Sequence, residues 1–159
     1  MEHADAQELT QKLEAGEVPL AEVIHAALRS NEAAITALQA QVLEKKDRRA
    51  AERTSGKSFT KRIEGETRFV WEEVCWGVVD EKKIHMDRGP AALRSYRFQL
   101  RGTTEVLILP VDKDLVALRI PAKHQPDLSG LPDNVRVMDP DLRWVMAFEP
   151  ERCFAKRGG

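Results

Sequence analysis

Cysteine is scarce in this chain. Cys75 and Cys153 stand far apart, with no CxxC and no Cys/His spacing around either. Two such thiols build neither the disulfide framework of a small secreted domain nor a structural zinc site. No apolar run approaches the roughly 20 residues of a membrane span. The opening residues, MEHADAQELT, are acidic and polar, unlike a secretory leader. Neither sign of charge dominates: the net is -1 and the pI about 6.4, so no global field draws the chain to nucleic acid or membrane. A cytoplasmic protein without membrane association is the expectation. Glycine and proline are both missing from Leu20 to Thr54, which removes the usual helix breakers from that stretch.

What fills that stretch is alanine, leucine, glutamate and lysine, all strong helix formers. Ala21, Ile24, Leu28, Asn31, Ile35, Leu38, Val42 and Lys45 recur at steps of three and four. They therefore share one stripe of a helix. The spacing predicts a single helix over 20–54 with Ala21, Leu28, Ile35 and Val42 at a and Ile24, Asn31, Leu38 and Lys45 at d. Each large apolar residue on it contributes roughly 1.5–3 kcal/mol if buried, so the stripe needs a cover. A second copy is the expected cover, with Ile24, Leu28, Asn31, Ile35, Leu38 and Val42 as the oligomer interface. Packing within the chain is the alternative. A short helix precedes it from Asp5 to about Ala15, with Gly16 as its C′ residue.

Charge is unevenly spread. Residues 1–44 hold two basic and eight acidic groups, and residues 45–62 eight basic and two acidic. Thr54-Ser55-Gly56 ends the apolar pattern, giving a domain boundary: 1–54 a helical arm, 55–58 a linker, 59–159 a β-rich domain. In the latter, Tyr96, Phe98 and Leu100 alternate with polar residues as a half-buried strand would. Glu105–Leu109 and Leu115–Ile120 follow as further strands of a meander. Thr67–Val79, whose first half could equally be helical because Glu72 and Glu73 interrupt the pattern, Ile84 with Met86, Val135–Met138 and Leu142–Phe148 complete the list. Pro121–Asn134 is a long loop, and Cys153–Gly159 a polar tail. The expected class is α+β: a helical hairpin or coiled-coil arm, then a small, mostly antiparallel β domain shaped as a barrel or bent sheet.

Chemistry-bearing patterns are few. Thr54-Ser55-Gly56-Lys57-Ser58 ends like a phosphate loop, but Ala51 stands where glycine is required and a helix precedes it. Glu81 and Lys83, with Asp80, His85 and Asp87 nearby, match part of a metal-dependent nuclease site on an apparent hairpin at 80–87. No second acidic ligand is identified, so no catalytic or metal residue is assigned and no cofactor is expected. His3, His25, His85 and His124 fall in separate elements. Lys45, Lys46, Arg48, Arg49, Arg53, Lys57, Lys61 and Arg62 could neutralise phosphates, although Asp47 and Glu52 interleave and no aromatic accompanies them. Trp71, Trp76 and Trp144 read as core. Lys156-Arg157-Gly158-Gly159 resembles the basic-Gly-Gly tail of ubiquitin-like proteins, over those four residues only.

These patterns point to a non-catalytic interaction or regulatory protein. It would self-associate through its arm and meet a protein partner through the β domain. Nucleic-acid binding through 45–62 is the alternative, and a nuclease-like enzyme at 80–87 a further one.

Overall fold

A computed structural model describes residues 3–59, 84–122, 128, 131–148 and 152–157. The helices are α1 (His3–Glu14), α2 (Leu20–Leu28), α3 (Glu32–Ala37), α4 (Lys45–Phe59) and α5 (Pro90–Arg101). The strands are β1 (Gln41–Val42), β2 (Ile84–Arg88), β3 (Glu105–Pro110), β4 (Leu118–Pro121), β5 (Val135–Met138), β6 (Trp144–Ala147) and β7 (Cys153–Arg157). The class is α+β.

The single helix expected over 20–54 is instead α2, α3, β1 and α4, and the breaks have a common chemistry. After α1, Gly16 takes φ +73°, its N–H donates to Leu13 O, and Glu17 N–H reaches back to Lys12 O. That is a Schellman cap. After α2 the same pair of bonds recurs at Ser30 and Asn31, with Ser30 at φ 68°. After α3 it recurs at Gln39 and Ala40, with Gln39 at φ 55°. Two of the three left-handed positions thus carry a side chain, which costs about 1–2 kcal/mol each. Asn31 is no buried register residue: its Oδ1 accepts from Ala34 N–H at 3.0 Å and caps α3.

All the strands of the sheet pair antiparallel, in the order β1-β4-β3-β5-β6-β7-β2. Among the described residues it ends in two edges, β1 and β2, and does not close into the barrel that was one expectation. Alternate residues face opposite sides. Val106, Ile108, Leu118, Ile120, Val137, Trp144, Met146 and Phe154 face α2, α3 and α5. Leu107, Leu109, Met138, Val145, Ala147, Cys153 and Ala155 form the other face, covered in part by Leu43 and by Ala51 of α4.

The described residues on either side of the boundary expected at 54–58 pack together. Val23, Ile24, Leu28 and Leu38 belong to the same hydrophobic cluster as the sheet's first face. β1, from the supposed arm, adds an edge strand by pairing Gln41 with Arg119 and Val42 with Leu118. Helices and sheet share one core.

Two further expectations change. Tyr96, Phe98 and Leu100 lie on helix α5, not on a strand. The polar tail is β7, between β6 and β2, with Cys153, Phe154 and Ala155 all buried. Cys153 is disulfide-bonded. Cys75, the 67–79 stretch with Trp71 and Trp76, the 80–83 turn and His124 lie outside the described residues.

Candidate interaction surfaces

The outward face of α5 is the most distinctive surface, and its origin is local. Gly89 sits at φ 62°, ψ -138°, a conformation open essentially to glycine alone, and Pro90 follows at the first helical position. The chain is thereby turned from β2 directly into α5. Ala92, Tyr96 and Leu100, four apart, are buried against the sheet. Tyr96 meets the rings of Trp144 and Phe148 edge-on, at centroid distances of 5.8 and 5.6 Å. Ser95 Oγ donates to Asp87 Oδ2 at 2.6 Å, tying the helix to β2.

The opposite side of the helix carries Arg94, Arg97, Phe98 and Arg101, at i, i+3, i+4 and i+7. Phe98 is 68% exposed; Val42, at 46%, is the other large apolar side chain left in solvent among the described residues. Between Asp87 and Glu105 the sequence contains no carboxylate at all. Arg94 and Arg101 make no ion pair among the described residues.

The basic segment at 45–62 divides. Arg48 is turned inward: Nη1 donates to Leu115 O at 2.5 Å, and Nη2 to Pro110 O at 2.9 Å and Asp112 O at 3.1 Å. Its Nε lies 3.8 Å from Glu52 Oε2, which also binds Lys113. Arg48 therefore fastens α4 to the loop between β3 and β4 and is withheld from any phosphate. Lys46 lies 3.7 Å from Glu44. Lys45, Arg49 and Arg53 face outward, four residues apart along α4. Lys57 lies in α4, while Lys61 and Arg62 fall outside the described residues.

The stripe assigned to self-association is largely consumed inside the chain. Ile24, Leu28 and Leu38 have no exposed surface, Ile35 packs against the same cluster, Asn31 is a cap, and Val42 is half exposed on the edge strand. Burial against its own sheet provides the cover that a second copy was expected to supply.

At the 80–87 hairpin, Asp80, Glu81 and Lys83 are outside the described residues. Asp87 is occupied by Ser95 and by His85 Nε2 at 3.1 Å. Among the described residues no group of three His, Cys, Asp or Glu side chains is placed to hold a metal. His25 has a structural role: Arg29 Nε donates to its Nε2 at 3.1 Å, leaving Nδ1 to donate to Asp133 Oδ2 at 2.5 Å. This links α2 to the segment before β5. At the β5–β6 turn, buried Asp139 accepts from Arg143 Nε at 2.7 Å, and that hydrogen bond and charge raise the Arg143 pKa. Lys156 and Arg157 of the Gly-Gly tail lie in β7, opposite His85 and Ile84.

An open groove of about 380 Å³ runs between α4 and the sheet's second face, with Leu107 and Leu142 on its floor and Ala50 and Ala51 on its wall. Its charged lining is Asp47, Asp141 and Arg119, the last neutralised by Glu105. That balance disfavours an anionic ligand. No described helix is long and apolar enough to cross a membrane.

Searches against protein-family models, curated proteins and solved structures find no match to this chain. The alternation at 96–100 places Phe98 on the buried side of a strand and so conceals the α5 face. The signal that reveals it is Ala92: with Tyr96 and Leu100 it makes a four-residue period, which puts Phe98 outside.

Proposed function

We propose that the protein is a non-catalytic interaction protein that meets its partner through the outer face of α5. The observation that carries this is Phe98, exposed among arginines on a helix whose other side is locked to the sheet. Aromatic and arginine side chains on a rigid element are the residue types enriched at binding hot spots. Leaving a phenylalanine in water forgoes roughly 1.5–3 kcal/mol of burial, a cost that a partner covering it would recover. The chain's own apolar stripe offers a second copy only Val42, so the partner we favour is a different molecule.

The second reading, nucleic-acid binding through 45–62, is supported in reduced form by the outward row of Lys45, Arg49 and Arg53 on α4. Arg48 takes no part in it.

The test is site-directed photo-crosslinking in the native host. A photoreactive residue at position 98 is expected to give discrete adducts several-fold above one at exposed Glu17. Those adducts should disappear when Arg94 and Arg101 become glutamate. Equal yields at positions 98 and 17 would contradict the assignment.

A further inference from the structure

The geometry points to single-stranded nucleic acid as the ligand of the α5 face, an inference that rests on reading that face as the contact surface. Three features converge. First, Arg94 and Arg101 project from one side of a helix with no acidic neighbour in sequence from residue 88 to 104, so phosphates held by them meet no carboxylate of that segment. An acidic protein would be attracted by the same charge, and charge alone does not choose between them.

Second, Phe98 lies within that row, one helical turn from Arg94 and from Arg101 on either side. An exposed aromatic ring flanked by guanidinium groups can stack an unpaired base while its neighbours hold the backbone, and every base offers a π-face. A run of carboxylates alone offers that ring no flat face to stack on. Third, at about 1.5 Å per residue Arg94 and Arg101 lie about 10 Å apart along the axis with Phe98 between them, so one strand can reach both guanidinium groups while a base meets the ring. A duplex keeps its base faces stacked away from Phe98, so a single strand is the form that uses every group on this face.

The basic row on α4 offers less to the same ligand. α4 interleaves Asp47 and Glu52 with its cations and carries no exposed aromatic among its described side chains. It lies over the sheet's second face, whereas α5 lies over the first.

The experiment is fluorescence anisotropy with the full chain and a labelled oligothymidylate of about 20 nucleotides, a length ample for such a surface. Binding is expected, and with two phosphates neutralised by Arg94 and Arg101 the affinity should fall about 7-fold between 50 and 200 mM salt. Phe98→Ala should weaken it about tenfold and Phe98→Trp should retain it. Arg94→Glu with Arg101→Glu should abolish it while thermal unfolding stays unchanged, and a duplex of equal length should bind more weakly.

The inference is overturned if no binding is seen, or if the α5 variants bind as the wild type does. It is equally overturned if glutamate substitutions at Lys45, Arg49 and Arg53 abolish binding in place of those on α5. A polyglutamate probe separates the two levels. If it binds in preference to the oligonucleotide and the Arg94/Arg101 variant loses it, the nucleic-acid ligand falls while the α5 contact face stands.

Discussion

Trp144→Ala is expected to lower the unfolding free energy by about 3–5 kcal/mol, the range for deleting a large buried aromatic. Trp144 is 2% exposed and sits where three elements meet. Its ring lies edge-on to Tyr96 of α5, with an interplanar angle of 69°, and tilted at 30° against Phe154 of β7. Such aromatic pairs add roughly 0.5–1.5 kcal/mol beyond their area. The loss therefore reaches α5 through Tyr96 as well as the sheet. Against a total stability of 5–15 kcal/mol, a change of this size moves a large share of the molecules toward the unfolded state. Urea unfolding followed by circular dichroism measures it. Trp144→Phe, which keeps an apolar ring, should lose clearly less than the alanine variant.

Arg48→Ala is expected to cost about 3 kcal/mol. Hydrogen bonds to a charged group contribute roughly 1.5–3 kcal/mol net, and here one guanidinium serves three carbonyls of a single loop. Its removal leaves those oxygens without that donor and Glu52 with Lys113 alone as its cation. Arg48→Lys should recover only a minor part, because one ammonium cannot reproduce the planar fork that spans Pro110, Asp112 and Leu115. The same chemical denaturation measures both variants. A loss below about 1 kcal/mol for the alanine, the level of an exposed ion pair, would show that Arg48 does not hold α4 to the loop.

How much of this was visible in the residues depends on whether a local pattern had a competitor. β3 follows almost at its expected limits and β4 lies within the same apolar run but begins at Leu118, three residues after the expected start, since both are β-branched or leucine-rich runs bounded by proline and aspartate turns. β5 and β6 are likewise where their apolar runs place them, and Trp144 is in the core as expected. Gly16 ends α1 as a left-handed C′ residue, because there the sequence carries the residue that the geometry prefers.

The failures are equally specific. At Tyr96, Phe98 and Leu100 a two-residue alternation is embedded in a four-residue period. Only the glycine-proline start at 89–90 and Ala92 decide between strand and helix. At Ser30 and Gln39 the helix ends on residues that carry no stop signal, so the stripe of threes and fours runs across the breaks. At Arg48 a basic residue within a charged run resembled its solvated neighbours. Its role depends on carbonyls more than sixty residues away, which composition does not encode. β7 was missed for a similar reason: charge at Lys156 and Arg157 masked the apolar Cys153-Phe154-Ala155 that the sheet buries.

Residues 20–54 fold back onto the sheet as separately capped short elements. Glycine substitution at the two left-handed caps tests this through the sign of its effect. Ser30→Gly and Gln39→Gly, measured by urea denaturation, are each expected to raise stability by about 1 kcal/mol, since glycine adopts positive φ without the side-chain penalty. A continuous helix would place both residues in its interior, and each glycine would then lower stability by about 1 kcal/mol. A loss at both positions would contradict the fold described here.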